Sequence, residues 1–177
     1  MSPREPDGIV VRAVRDETEL RTVFARIAGL FLAAVDPDQD YRLDRLVQHL
    51  DADRDLMIIA VDPAGQILGA ALGYRESPRA VKLQALAVES QYRRRGVGRR
   101  LITELEHRAL RAGVGSIFLG AERPARPFYQ ALGYQGRRDV LRKSLSGKAL
   151  ASTPQQRRTR LQELRAARGE RSHRSTG

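Results

Sequence analysis

Residues 83–110 read LQALAVESQYRRRGVGRRLITELEHRAL, and this stretch decides the fold. Its start continues an apolar run, Val81–Val88, that reads as a strand with Val81, Leu83, Ala85 and Ala87 on one face. A basic loop, Gln91–Gly98, comes next, and a helix begins at once. Leu101, Ile102, Leu105 and Ala109 form that helix's apolar stripe, with Gly113 at its C′ position. A strand entering such a turn aims consecutive backbone N–H groups at one point, where the helix N-terminus adds partial positive charge. Gly96 and Gly98 let a large anion approach the backbone without a Cβ clash. Arg93, Arg94, Arg95 and Arg99 add charge and forked donors. Chemically this is a pyrophosphate site. It is not the P-loop pattern, because no G-x-x-x-x-G-K-[ST] occurs. The dinucleotide fingerprint, which needs G-x-G-x-x-G early in a βαβ unit, does not occur either.

Upstream, Ile9–Val14 reads as a first strand. Asp16 and Glu19 then make a capping-box-like start to a helix carrying Leu20, Val23, Phe24, Ile27 and Phe31. Val35-Asp36-Pro37 breaks it, and a second amphipathic helix carries Leu43, Leu46, Val47 and Leu50. Leu56–Val61 is a buried strand, Asp62–Gly65 a type I turn, and Ile67–Tyr74 the returning strand of the hairpin. Gly69 and Gly73 weaken that strand's interior, and Glu76–Arg79 forms the next turn. Downstream come a strand at Ser116–Leu119, a short helix at Pro127–Leu132 ended by Gly133, and a last strand at Val140–Leu145. The order is β-α-α-β-β-β-α-β-α-β. It predicts a mixed α/β (α+β) fold: a mostly antiparallel central sheet flanked by helices, with one parallel crossover within residues 81–119.

Composition bounds the chemistry. The chain has 177 residues and suits one domain of ordinary size. It has no cysteine, which excludes disulfides, thiolate metal sites and cysteine nucleophiles. Three scattered histidines, His49, His107 and His173, make no metal-ligand cluster, so no metal is expected. His107 falls in mid-helix, remote from the basic loop, and is expected to be exposed. Apolar runs fall well short of a membrane span, and the N-terminus lacks a signal-peptide core; the expectation is a soluble cytoplasmic protein with no membrane contact. The net charge of +11 is uneven. Residues 1–56 carry 8 basic and 12 acidic side chains, residues 57–146 carry 16 and 7, and residues 147–177 carry 8 and 2. The excess in the middle fits an anionic ligand.

Arg93-x-x-Gly96-x-Gly98 after a strand ending in Ala87-Val88 resembles the acetyl-CoA-binding motif Q/R-x-x-G-x-G/A of the GNAT N-acetyltransferases. A second mark, Phe128-Tyr129-Gln130-Ala131-Leu132-Gly133-Tyr134, is similar to the family's F-Y-x-x-L-G-F/Y segment, and the element order agrees. The resemblance covers about residues 8–146. It implies a sheet whose parallel pair splays at the cofactor, and transfer of an acetyl group from acetyl-CoA to a primary amine by direct attack in a ternary complex. By resemblance the backbone of Leu86, Ala87 and Val88 holds the pantetheine arm, and that of Arg94 through Arg99 holds the pyrophosphate. Tyr129 protonates the departing thiolate; Tyr134 packs, and Arg123 and Arg126 are solvated. Attack needs a neutral amine, so some group must take a proton. Glu122, after the strand bordering the splay, is the first candidate, Glu89 the second and Glu76 the third. One departure stands out: Gly120–Pro124 lacks the Asn that many members carry before F-Y.

These readings divide the chain into an N-terminal extension (1–7), an acetyltransferase domain (8–146) and a basic tail (147–177) that is disordered or partly helical. In this family the segment between the first two helices walls the acceptor pocket. Here it carries Asp36, Asp38 and Asp40, which form either a solvated loop with a helix cap at Asp40 or a cluster that would draw a cationic acceptor. The acceptor itself, a small-molecule or peptide amine, is not named by the sequence, and a homodimer stays open. Two rival readings remain: a GNAT-like sensor that binds acyl-CoA without turnover, and a nucleic-acid-associated protein acting through its tail. The second lacks any RNP, helix-turn-helix or zinc signature and has only 5% aromatic residues for base stacking.

Overall fold

The computed structural model describes residues 8–30, 39–137 and 140–146. The order is β1 (Val10–Ala13), α1 (Glu17–Leu30), α2 (Gln39–Asp53), β2 (Met57–Val61), β3 (Ile67–Ser77), β4 (Ala80–Val88), α3 (Val97–Arg111), β5 (Ser116–Gly120), α4 (Arg126–Ala131) and β6 (Val140–Ser144). Short 3-10 turns at Arg54–Leu56, Ser90–Tyr92 and Arg123–Ala125 link them. Phe31, the break at Val35–Pro37, Asp36 and Asp38 lie outside the described residues.

All six strands form one sheet in chain order. Every neighbouring pair is antiparallel except β4 and β5. The sequence places the strands well, with two differences. β3 runs on to Ser77, so the turn into β4 tightens to Pro78-Arg79. The other difference is a bulge in β4. Leu72 pairs with Ala85 but Gly73 pairs with Leu83, which leaves Gln84 without an opposite residue. The expected single face of Val81, Leu83, Ala85 and Ala87 therefore does not exist. Val81 and Leu83 point into the core under α3, and Ala85 and Ala87 into the core under α1 and α2.

Those two cores lie on opposite faces of the sheet. Leu101, Ile102, Leu105 and Ala109 of α3 cover Ile58, Ala71, Val81 and Leu119. Leu20, Val23, Ile27 and Leu46 of α1 and α2 cover Met57, Ile59, Ala70 and Leu72. Residues Leu86 and Val88 pack on the α3 side. Close packing of β3 on β4 explains Gly69: a Cβ there would lie 2.7 Å from the Ala87 carbonyl oxygen.

The start of α1 shows how local chemistry fixes the fold. Asp16 Oδ1 accepts the Glu19 N–H at 2.8 Å, the expected N-cap bond. The reciprocal half of the capping box is shifted by one residue, because Glu19 accepts the N–H of Arg15 at 2.7 Å. The guanidinium groups of Arg12 on β1 and Arg15 also bond to the Glu19 carboxylate. Arg12 first, then Arg15, outweigh burial and hold that carboxyl down at about 2.

Candidate active site

The β4–β5 ladder runs from Ala80↔Ser116 to Leu83↔Leu119 and stops. β4 stays paired with β3 as far as Val88. Along residues 84–88 the edge facing β5 therefore has no strand partner among the described residues, β5 itself ending at Gly120. The bulge at Gln84 begins where the strands part. Gln84 Oε1 is buried without a hydrogen bond, a polar atom that the sequence reading missed. Its only signal was that the polar residues Lys82 and Gln84 both interrupt the run from Val81 to Val88.

At the far end of this edge the chain turns into α3. Arg94 has φ 59° and Gly96 has φ 83°, both left-handed. At Gly96 a side chain costs backbone strain, yet nothing lies within 4 Å of where its Cβ would be. The N–H groups of Val97, Gly98 and Arg99, the first turn of α3, make no backbone hydrogen bond among the described residues. No side chain caps them. The result is a set of unpaired donors at a helix N-terminus, a feature that accepts phosphate oxygens. Gly98 has a further role: a Cβ there would sit 3.4 Å from the ring of Phe128 and 3.6 Å from Val88. Arg93 turns back on the strand, its Nε donating to the Val88 carbonyl at 2.9 Å. The Arg95 guanidinium lies over the Tyr92 ring at 5.7 Å. Arg123 is exposed, and Arg126 donates to the Gly136 carbonyl at 3.3 Å.

Tyr129, on α4, is 7% exposed. Its ring meets Phe128 and Tyr134 edge-on, with centroids 5.1 and 5.9 Å away. Its hydroxyl bonds to no described residue and is not sealed from solvent. Burial pushes the phenol up to about 12. Tyr134 packs as expected and is wholly buried.

The three carboxylates separate clearly. Glu122 follows β5 directly, is exposed, and has no ion pair among the described residues. Glu89 closes β4, but Arg26 of α1 holds it, with Nη2 at 2.7 Å and Nε at 2.8 Å. Arg26 is a partner the sequence could not show, since it stands 63 residues away. Glu76 drops out as a candidate base. It lies by the Pro78-Arg79 turn at the N-terminal end of β4, and the unpaired edge of β4 is at the other end. His107 is half-buried rather than exposed. Asp40 lies in the first turn of α2.

The family model described as Acetyltransferase (GNAT) family matches residues 19–134. Among solved structures, Ard1 from Thermoplasma volcanium is similar with a TM-score of 0.66 and 18% identity, covering 78% of this chain and 99% of that one. An aminoglycoside 6′-N-acetyltransferase complexed with coenzyme A gives 0.61 and 15%, over 82% and 99%. A GNAT-family N-acetyltransferase from Escherichia coli in complex with CoA gives 0.57 and 19%, over 82% and 86%. At these identities the likeness is one of fold. No curated protein sequence matches significantly.

Proposed function

Because the chain belongs to the GNAT acetyltransferase family, we propose that it moves an acetyl group from acetyl-CoA to a primary amine by direct attack in a ternary complex. One observation carries this reading: the parallel ladder ends at Leu83↔Leu119, and the free edge beyond it leads straight into the left-handed turn at the start of α3. The residues fit a nucleotide-bearing thioester. The open space over Gly96 and the unpaired N–H groups of Val97, Gly98 and Arg99 suit the pyrophosphate. Backbone groups of Leu86, Ala87 and Val88 suit the amides of a pantetheine arm. Arg93, Arg94, Arg95 and Arg99 supply the surrounding positive charge.

When bound, acetyl-CoA supplies an activated acetyl thioester. Tyr129 gives the proton that the leaving sulfur takes up, and its burial keeps that proton in place until then. Glu122 accepts the proton that the amine loses, directly or through one water; with no ion pair among the described residues, its carboxylate is free to do so. Asp36 and Asp38 lie outside the described residues, so the cationic acceptor drawn from them rests on the sequence alone.

The test is purified protein with acetyl-CoA and a broad panel of amines, read by thiol release. Release that depends on the amine is expected. Tight coenzyme A binding with no release from any amine would favour a sensor. Absence of binding would remove the phosphate site itself.

A further inference from the structure

Among the described residues, a strip of the sheet across β4, β5 and β6 belongs to neither core. Ile117, Leu119 and Leu141 lie in the core under α3. Side chains alternate along a strand, so Phe118 and Arg142 face the other way. Lys82 does the same between Val81 and Leu83. The ladders set these three in one row, with Lys82 opposite Phe118 and Phe118 opposite Arg142. On that face the core under α1 and α2 reaches β4 at Ala85 and Ala87 and takes in no residue of β5 or β6. Lys82 and Phe118 are half-buried, and Arg142 is exposed.

Charge sets this row apart. The other cations carried on strands each meet a carboxylate: Arg12 meets Glu19, Arg75 meets Asp53 and Lys143 meets Glu106. Lys82 and Arg142 meet none among the described residues. The Arg142 guanidinium instead lies over the Phe118 ring, 5.0 Å from its centroid, and its Nη1 donates to Ser116 Oγ at 3.1 Å. An aromatic ring between two cations that no carboxylate neutralises suits a ligand with an apolar stem and a negative end. A guanidinium fork matches a carboxylate in particular.

The row also adjoins the candidate site. Lys82↔Phe118 is the rung before Leu83↔Leu119, where the β4–β5 ladder stops. Two residues of strand, roughly 7 Å, separate Lys82 from the unpaired edge that begins at Gln84. Tyr129 and Val97 belong to the core under α3, so the proposed acid and the start of α3 pack on the face opposite the row. An acceptor amine must reach the thioester from a side that those elements do not fill, and the row lies on the face they leave.

We propose that Lys82, Phe118 and Arg142 form an acceptor subsite for an amine that carries a carboxylate several bonds from its nitrogen. The stem of such an acceptor lies on Phe118, and its carboxylate is held by the Lys82 ammonium and the Arg142 guanidinium. The three residues then select the acceptor and take no part in the proton transfers. Their meaning for turnover rests on the acetyl-transfer reading, whereas binding at the subsite is measurable without it.

The experiment uses the full chain and ω-amino carboxylates of increasing length, each beside its primary amide and the diamine of matching length. Thiol release from acetyl-CoA gives kcat/KM, and calorimetry with coenzyme A present gives affinity without turnover. At the preferred length the carboxylate is expected to exceed its amide about fivefold or more in both readouts, and added salt should shrink the difference. K82M and R142M should each lower that ratio, and K82M/R142M, checked for folding by circular dichroism, should bring it below about twofold. The ratio is taken within one variant, so a partly folded sample does not distort it. Equal values for carboxylate and amide at every length, a preference for the diamine, or a carboxylate preference that survives in K82M/R142M would overturn the proposal. Carboxylate binding that K82M/R142M loses, together with no thiol release from any amine, would uphold the subsite and overturn the acetyl-transfer reading instead.

Discussion

At the scale of one residue, Tyr129 as the proposed acid must keep its proton until the leaving sulfur needs it. Desolvation penalises the phenolate, so burial raises the phenol to about 12. The protonated form is the active one. Its contribution is therefore full at neutral pH and is lost only as pH rises through about 12. The pH profile of kcat should rise with deprotonation of the amine and show no Tyr129-linked fall through pH ~10. Y129F preserves the edge-on packing against Phe128 and Tyr134 and removes the proton. Coenzyme A affinity should stay within about twofold, while kcat falls roughly 10²-fold or more. Calorimetry and thiol release measure the two. Unchanged turnover across pH ~6–9 would assign the acid to another group.

Elements show why some of this was legible and some was not. The turn into α3 announced itself, since Arg93–Gly98 combines glycines, arginines and a helix start in one short run. In G96E a carboxylate enters the open space over Gly96, and the left-handed backbone adds strain of about 1–3 kcal/mol. Coenzyme A binding should be abolished with the circular dichroism spectrum kept; near-normal affinity would move the phosphate site elsewhere. The bulge at Gln84 was not legible. Both faces of β4 are covered, so both bear apolar side chains, and the alternation carries no mark of where the faces exchange. The α1 cap was half legible: Asp16 behaves as its pattern says, but Glu19 is taken by Arg12 and Arg15. With its folded-state pKa depressed to about 2, Glu19 contributes stability that is full above its ordinary 4.5 and is lost as pH falls through about 2. E19Q should cost ~1–2 kcal/mol at pH 7. The gap from wild type should close as acid is added; a gap that stays constant with pH would mean that packing, not charge, does the stabilising.

For the whole molecule, the strand and helix order follows from local patterns, so it reads directly from the sequence. Contacts that shape the site do not, because they join residues far apart along the chain. Arg26 meets Glu89 across 63 positions and Glu106 meets Lys143 across 37. The same topology makes a prediction about the chain beyond Ser146. β6 runs antiparallel to β5, with Ser144 opposite Ser116 and Val140 opposite Gly120. Its last bond joins the Leu145 N–H to the Gly115 carbonyl at 2.8 Å. Among the described residues the sheet ends at Leu145, beside the N-terminal ends of β4 and β5. The unpaired edge of β4 lies at the opposite end, beyond Leu83. Residues 147–177 carry eight basic side chains and, as sizeable apolar ones, only Leu150, Leu161 and Leu164. Truncation after Ser146 should therefore leave KM for acetyl-CoA and kcat on a small amine within about twofold, a change in barrier under roughly 0.5 kcal/mol. A larger loss, with the truncated domain still folded by circular dichroism, would show that the basic segment contributes to the site.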